Sequence, residues 1–307
     1  MFRSTPPVTP PSGWWTRDWF IALLALASII PLIGPDVPPL IDLMGHMGRY
    51  RVQLADPASP LLTQYFSFQW ALMGNLGVDL LIIPMAKVFG LELGVKLIVM
   101  AMPPLTLTGL LLIAREVHGR LPATAALVAP FAYCWPFQWG FINYVLGMAL
   151  ALNAYALWLY LGRVGHIRLR AILFVPIAGL IWLCHGFAWG VLGLLAFAAE
   201  IVRMRDVEGR GFGESLWRGV LHCLPLSPPM LLMIAWRSGD VQGKTLDWFN
   251  WKAKYVYLIS ALRTHWMAFD IILVSALVLM VLFGIASIGW RQIGVNMRRT
   301  LASPAWC

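Results

Sequence analysis

Six long apolar segments set the strongest limit on how this chain can fold. Most of them are close to the ~20 residues that an α-helix needs to cross a bilayer. The six segments are residues 19–34, 94–114, 121–138, 144–162, 219–236 and 269–290. Charged residues make up only 12% of the chain, against about 25% in soluble domains. The sequence therefore predicts an all-α fold, a polytopic bundle of transmembrane helices.

A further apolar segment, residues 171–202, is too long for one ordinary span. Arginine-rich loops flank it at 163–170 and 203–218. Both loops can lie in the cytoplasm only if the segment between them crosses the membrane twice. We predict a break at residues 184–186 (Cys-His-Gly), with a short helix on each side.

Lysine and arginine side chains decide the predicted orientation. They collect in loops on one side of the segments, and cytoplasmic loops of membrane proteins carry such an excess. This bias explains the net charge of +9 without nucleic acid, for which the chain has no motif. The predicted topology has eight spans, both termini in the cytoplasm and a location in the bacterial inner membrane. Its parts are a disordered cytoplasmic tail (1–18), a transmembrane domain (19–290) with outer loops 35–93 and 237–268, and a cytoplasmic tail (291–307).

Residues 63–90 are apolar but interrupted by charge, and we expect them to lie at or dip into the outer interface. Asp79 is the costly residue there, because a carboxylate at membrane depth must face protein or water. At an interface that cost is smaller. Asp79 is therefore either a site residue or an interface charge. His185 likewise leaves two interpretations open, a structural histidine or a ligand-binding one.

The first outer loop holds the densest mixture of titratable side chains, in the stretch PPLIDLMGHMGRYRVQLADP at residues 38–57. Its prolines are typical of the start and end of a helix. Asp42, His46 and Arg49 then share one helical face, at positions i, i+4 and i+7. Either this face simply meets water, or Asp42 acts as a general base on an acceptor hydroxyl. In the second case, Arg49 and Arg51 hold a phosphate leaving group.

Three further stretches, within about residues 15–205, give the chain a resemblance to a known family. They are LLLIAREVHGRLPATAALVAPFAY, FINYVLGMALALNAYALWLYLGR and AGLIWLCHGFAWGVLGLLAFAAEIVRMR. Together with the acidic first loop they resemble the GT-C superfamily of membrane glycosyltransferases. That superfamily includes protein O-mannosyltransferases, the aminoarabinose transferases of lipid A and oligosaccharyltransferases. The chain is more closely similar to uncharacterised bacterial multi-pass proteins with an Asp, Pro, His, Arg signature in that loop.

The resemblance implies a GT-C-like fold and transfer of a sugar from a polyprenyl-phosphate donor to a lipid, glycan or protein on the outer face. It implies that Asp42 is the catalytic general base, with Asp36 as the alternative nearer the first span. The substrate- or phosphate-binding residues that we predict are His46, Arg49, Arg51, Asn143 and His185. The partners are then the lipid bilayer and the lipid-linked donor, while the oligomeric state stays open.

Two features depart from the family. Many relatives carry a second acidic residue in the next outer loop, where this chain offers Gln138 and Asn143, poor ligands for a divalent cation. We therefore predict no cofactor and disfavour a divalent metal. The chain is also shorter than most members, and its end, RRTLASPAWC, indicates a truncated or frameshifted form. Two alternatives to an enzyme stay open: a membrane transporter or flippase, and a non-catalytic or truncated multi-pass protein.

Overall fold

The computed structural model describes residues 13–55, 59–206, 208–235, 249–259 and 266–288. These residues form helices and no strand, so the predicted all-α class is confirmed for them. The α-helices are α1 (Asp18–Ala27), α2 (Ile30–Ile33), α3 (Leu43–Gln53), α4 (Pro60–Tyr65), α5 (Gly77–Phe89), α6 (Leu91–His118), α7 (Trp135–Trp139), α8 (Ile142–Arg163), α9 (Ile167–Cys184), α10 (Gly186–Asp206), α11 (Phe212–Cys223), α12 (Pro229–Ala235), α13 (Trp251–Ile259) and α14 (Met267–Ile288). Three 3-10 helices cover Trp14–Thr16, Ala123–Tyr133 and Leu224–Leu226.

Parts of the predicted layout fall outside the described residues. These parts are residues 1–12 of the N-terminal tail, most of the loop 237–268 and the whole tail 291–307. Residues 13–18 of the first tail are described and include the 3-10 helix Trp14–Thr16. The described residues of the predicted outer loop 35–93 include α3, α4, α5 and the start of α6. Its location outside the membrane stays a prediction.

Four helices, α6, α8, α9 and α10, are long and apolar enough to cross a membrane. Shorter apolar helical stretches cover Asp18–Ile33, which α1 and α2 share, and Met267–Phe283 within α14. Helices of this length and composition are typical of a bilayer rather than water. The chain is therefore a membrane protein with four candidate spans among its described residues. The predicted total of eight spans is not confirmed.

The structure confirms the break inside residues 171–202. α9 ends at Cys184, His185 takes an extended conformation with φ −164° and ψ 122°, and α10 begins at Gly186. Both helices pack against α8. Small buried side chains, among them Ala154, Ala178 and Ala188, form part of this core. Small residues let helices approach closely, and close packing is what associates helices in lipid.

Prolines divide two of the other predicted spans. Residues 121–138 form the 3-10 helix Ala123–Tyr133, which contains Pro130, and then α7. Residues 219–236 hold the end of α11, a short 3-10 helix and α12, which begins at Pro229. Proline lacks a backbone N–H and disfavours the helical conformation in the residue before it. Neither segment is therefore the continuous α-helix that its apolar pattern predicts.

The 3-10 helix Ala123–Tyr133 packs mainly against α6 and touches α1 near both of its ends. Ala125 near its start packs in one cluster with Phe20, and the Tyr133 hydroxyl at its end donates to the Ser28 carbonyl at 2.5 Å. A 3-10 helix rises about 2.0 Å per residue, so it covers more length than an α-helix of equal residue number. Ser28 is also where the predicted first span divides into α1 and α2.

Charged and polar side chains gather at the two ends of the bundle. α8 ends and α9 begins at one end, whereas Asn143 and His185 lie at the other. We call these the arginine end and the cavity end. The described arginines that pair with carboxylates at the arginine end are Arg115, Arg163, Arg170, Arg203, Arg210 and Arg218.

Helices α6 and α8 approach each other closely at Gly109. A Cβ atom there would lie 2.6 Å from the Leu152 Cβ and 3.0 Å from the backbone nitrogen of Asn153. The Asn153 amide Nδ2 donates to the carbonyls of Leu105 and Ala149, both at 2.8 Å. One hydrogen bond within α8 and one to α6 thus hold the two helices at this crossing. The crossing is possible because Gly109 has no side chain.

We expect Gly109→Ala to destabilise the bundle by about 1–3 kcal/mol, because the added methyl group overpacks the contact of α6 with α8. The measurement is thermal unfolding of the purified protein in detergent. Gly193→Ala in α10 is the matched control, since a Cβ there meets no atom of the described residues within 4 Å. Equal melting temperatures for the two variants would contradict the prediction.

Candidate functional site

Helix α3 forms inside the predicted stretch, but it begins later than its prolines indicate. Asp42 is its N-cap residue, and α3 starts at Leu43 and ends at Gln53. The backbone N–H groups of Ile41 and Asp42 donate to the carbonyls of residues 138 and 139, at 3.1 and 2.9 Å. Pairing with α7 therefore sets the helix start. The predicted end at residues 56–57 lies outside the described residues.

The carboxylate of Asp79 is the centre of the polar contacts at the cavity end. Its side chain is only 3% exposed, and Arg49 Nη2 lies 2.9 and 3.0 Å from its two oxygens. Asn143 Nδ2 donates to Asp79 Oδ2 at 2.9 Å. Because Arg49 belongs to α3, Asp79 to α5 and Asn143 to α8, one buried carboxylate joins three helices.

Asn143 is saturated by its neighbours. Besides its contact with Asp79, its Nδ2 donates to the Asn75 carbonyl at 2.9 Å, and its Oδ1 accepts from the Val78 N–H at 2.6 Å. The side chain is buried. Since each amide atom is occupied, Asn143 holds the start of α5 in place, which is a positioning role.

A cavity of about 390 Å³ opens beside this group. The residues that line it are His46, Asn75, Phe141, Ile142, Asn143, Tyr144, His185 and Phe187. Two imidazoles, two amides and a phenol thus meet exposed aromatic surface. Such a combination of a few polar groups with apolar walls is typical of small-molecule sites.

Both histidines of the cavity are biased toward the neutral form. Burial and then the Arg49 charge lower the pKa of His46 below its ordinary value of 6.5, and the charges of Asp79 and Asp42 partly oppose them. Burial also lowers the pKa of His185. His185 Nδ1 accepts a hydrogen bond from the Phe187 N–H at 3.2 Å. These shifts favour the neutral form of both rings near pH 7.

Two buried polar atoms of α3 have no hydrogen-bond partner among the described residues. They are Arg49 Nε and Gln53 Oε1. Gln53 Nε2, by contrast, donates to the Asp79 carbonyl at 2.7 Å. Burial raises the pKa of Tyr50, with a further contribution from Asp79, so its hydroxyl keeps its proton.

The structure brings only part of the predicted set together. His46, Asn143 and His185 line the cavity. Arg49 lies behind it, with Nη2 3.5 Å from His46 Nδ1, and partly buried Asp42 lies one turn before His46. The side chains of Asp36 and Arg51 are exposed.

Arg51 lines a different space, a cavity of about 380 Å³ between the ends of α3 and α5. It therefore does not share the first cavity with His46. Among the described residues, no group of three His, Cys, Asp or Glu side chains is placed to hold a metal ion.

Asp79 is the main residue that the predicted set lacks. Its signal in the sequence is a lone carboxylate in an apolar run, and that signal does not name a partner. Tyr144 and Phe187 also line the cavity. Nothing in their apolar surroundings separates them from ordinary core or interface aromatics.

We expect Asp79→Ala to lower stability by about 2–3 kcal/mol, because it leaves the buried Asn143 amide and the Arg49 guanidinium without their acceptor. The figure is kept low because the Arg49 side chain is 39% exposed. Thermal unfolding in detergent measures the loss, and Asp36→Ala, at an exposed carboxylate, is the control. A melting temperature equal to that of the control would count against the role of Asp79.

Comparisons of the chain with protein-family models, with curated proteins and with solved structures found no match. The functional argument therefore depends on the residues of this chain and on their geometry. What they establish is a helical membrane protein with a polar cavity at one end of its bundle, held by a buried ion pair.

Proposed function

We propose that the chain is an integral membrane glycosyltransferase. It moves a sugar from a polyprenyl-phosphate donor to an acceptor hydroxyl in the cavity of His46 and His185. The observation that carries the proposal is this cavity, where two neutral imidazoles and the Asn75 amide lie at the end of an apolar helical bundle. The resemblance of residues 15–205 to the GT-C superfamily supports the same reaction.

The distribution of arginine supports an outward-facing cavity. Most of the basic side chains between α6 and α11 belong to the arginine end, and cytoplasmic ends of membrane proteins carry such an excess. Those arginines are Arg115, Arg120, Arg163, Arg168, Arg170, Arg203, Arg205, Arg210 and Arg218. We therefore place the cavity end on the outer face of the bacterial inner membrane and the termini in the cytoplasm.

In the proposed reaction, the acceptor oxygen attacks the anomeric carbon of the sugar. The bond from that carbon to the phosphate oxygen breaks, and the phosphate leaves with the electron pair. The acceptor hydroxyl loses its proton to a base. We assign the role of this base to His46, because its ring lines the cavity and is neutral near pH 7.

Asp42 and Arg49 act on this step through His46. The negative charge of Asp42 raises the pKa of His46 and so favours the imidazolium that forms. Arg49 brings positive charge beside the same ring, with Nη2 3.5 Å from Nδ1. A fixed cation near a leaving phosphate stabilises the charge that develops there. Asp42 as the base itself, the role implied by the family, is the alternative.

We expect His46→Gln to lower sugar transfer by about 10²–10⁴-fold, the usual contribution of a general base. Asp42→Asn is expected to cost less, since it removes a supporting charge only. The assay measures radiolabelled sugar moved from a panel of polyprenyl-phosphate hexoses in proteoliposomes. Glu92→Gln, at an exposed carboxylate early in α6, is the control.

Two outcomes would change the assignment. Complete loss in Asp42→Asn with activity kept in His46→Gln would make Asp42 the base. Movement of the lipid-linked donor across the vesicle membrane, with no glycosyl product from any donor, would replace the enzyme by a flippase.

The pH profile gives an independent test. Transfer needs neutral His46, so its rate falls as the pH drops through the lowered pKa of that residue. We expect the midpoint of this acid limb below pH 6.5, the ordinary value for histidine. Asp42→Asn removes a charge that raises the pKa, so the limb moves to still lower pH. A limb that moves upward would contradict the assignment.

A further inference from the structure

Helix α4 and the non-helical residues that follow it, up to α5, present an uncharged, aromatic surface at the cavity end. Residues 61–78 carry no charged side chain. After α4 ends at Tyr65, residues 66–76 form no helix. The exposed large apolar side chains of this segment are Leu61 (70%), Tyr65 (71%), Phe66 (58%), Trp70 (52%) and Leu72 (48%).

Two backbone hydrogen bonds fix the level of this segment relative to the spans. The Leu76 N–H donates to the Leu183 carbonyl at 2.7 Å, and the Gly186 N–H donates to the Gly74 carbonyl at 2.9 Å. Both partners lie at the junction of α9 and α10, where the chain leaves one candidate span and starts the next. A Cβ atom at Gly74 would lie 3.1 Å from the Gly186 nitrogen, so glycine permits the close contact.

We propose that residues 61–73 insert their aromatic side chains into the lipid surface at the cavity end. Backbone without helical hydrogen bonds is not stable in the hydrocarbon core, whereas Trp and Tyr are favoured at the interface. The segment meets both conditions, because residues 66–73 form no helix, the whole of 61–73 is uncharged, and it adjoins the ends of the spans. A large exposed apolar patch on water-facing surface would be unusual. The occupant is therefore membrane lipid.

We call residues 61–73 the lipid anchor. This anchor also has a place in substrate binding. Asn75, two residues beyond it, lines the cavity, and so does Phe187, which is exposed on the first turn of α10. The cavity mouth is then level with the lipid headgroups, and the polyprenyl chain of the donor reaches it along the anchor. This second step rests on the proposed glycosyl transfer, whereas the insertion itself does not.

Insertion is tested by labelling. Ser67→Cys, in a chain without its four native cysteines, carries an environment-sensitive fluorophore in phosphatidylethanolamine and phosphatidylglycerol vesicles. We expect quenching by lipids with a nitroxide near the headgroup and little quenching by aqueous iodide. The control label at exposed Asp36→Cys is expected to show the reverse. Iodide quenching equal to the control overturns the proposal. Protection of the label from iodide that disappears when the protein is diluted in lipid also overturns the proposal. In that case a second copy of the chain, and not lipid, covers the segment.

The route of the donor is tested by chain length. We expect Phe66→Ser with Trp70→Ser to raise KM about tenfold for a long-chain donor, equivalent to about 1.4 kcal/mol of lost contact. A two-isoprene donor should keep its KM. Trp14→Ser with Trp19→Ser, an exposed stacked pair near Asp18 of the arginine end, is the matched control. An equal rise for both donors overturns the route. Absence of transfer from every donor defeats the proposed function, while the labelling still decides insertion.

Discussion

The buried carboxylate of Asp79 is the contact on which the cavity depends. A carboxylate that leaves water loses several kcal/mol of hydration, and only close, well-placed partners offset that loss. Here Arg49 meets both oxygens and Asn143 meets one of them. These partners come from α3 and α8, so the charge of α5 determines where both helices lie. His46 is one turn before Arg49, and its position in the cavity wall follows from the same ion pair.

The arginine end contains a second buried carboxylate, Glu200, with a different surrounding. Arg170 donates to it at 2.7 Å and Arg203 at 2.9 Å, and the Trp158 indole N–H donates at 3.1 Å. The Arg170 guanidinium also lies 4.0 Å from the centre of the Trp158 ring. Both Arg170 and Glu200 are 2% exposed. This cluster joins α8, α9 and α10 at the end opposite the cavity, and the apolar core lies between the two clusters.

Sequence patterns predict local elements of this fold better than their contacts. The break at His185 follows from charge, because two arginine loops on one side require two crossings between them. Helix α3 follows from its flanking prolines and polar spacing. The 3-10 helix Ala123–Tyr133 could not be predicted, since an apolar run with one internal proline suits several conformations. The partners of Asp79 could not be predicted either, because Arg49 and Asn143 are 30 and 64 positions away.

The two ends of the bundle differ in how completely the polar atoms of their described residues are paired. At the arginine end, Glu116 and Glu200 have arginine partners. At the cavity end, Arg49 Nε and Gln53 Oε1 are buried without a partner among the described residues. A buried unpaired polar group costs about 1–3 kcal/mol, and such costs persist mainly where a site needs them. Among the described residues, the paired carboxylates of the arginine end stabilise the bundle, whereas the cavity end carries the cost of unpaired polar atoms.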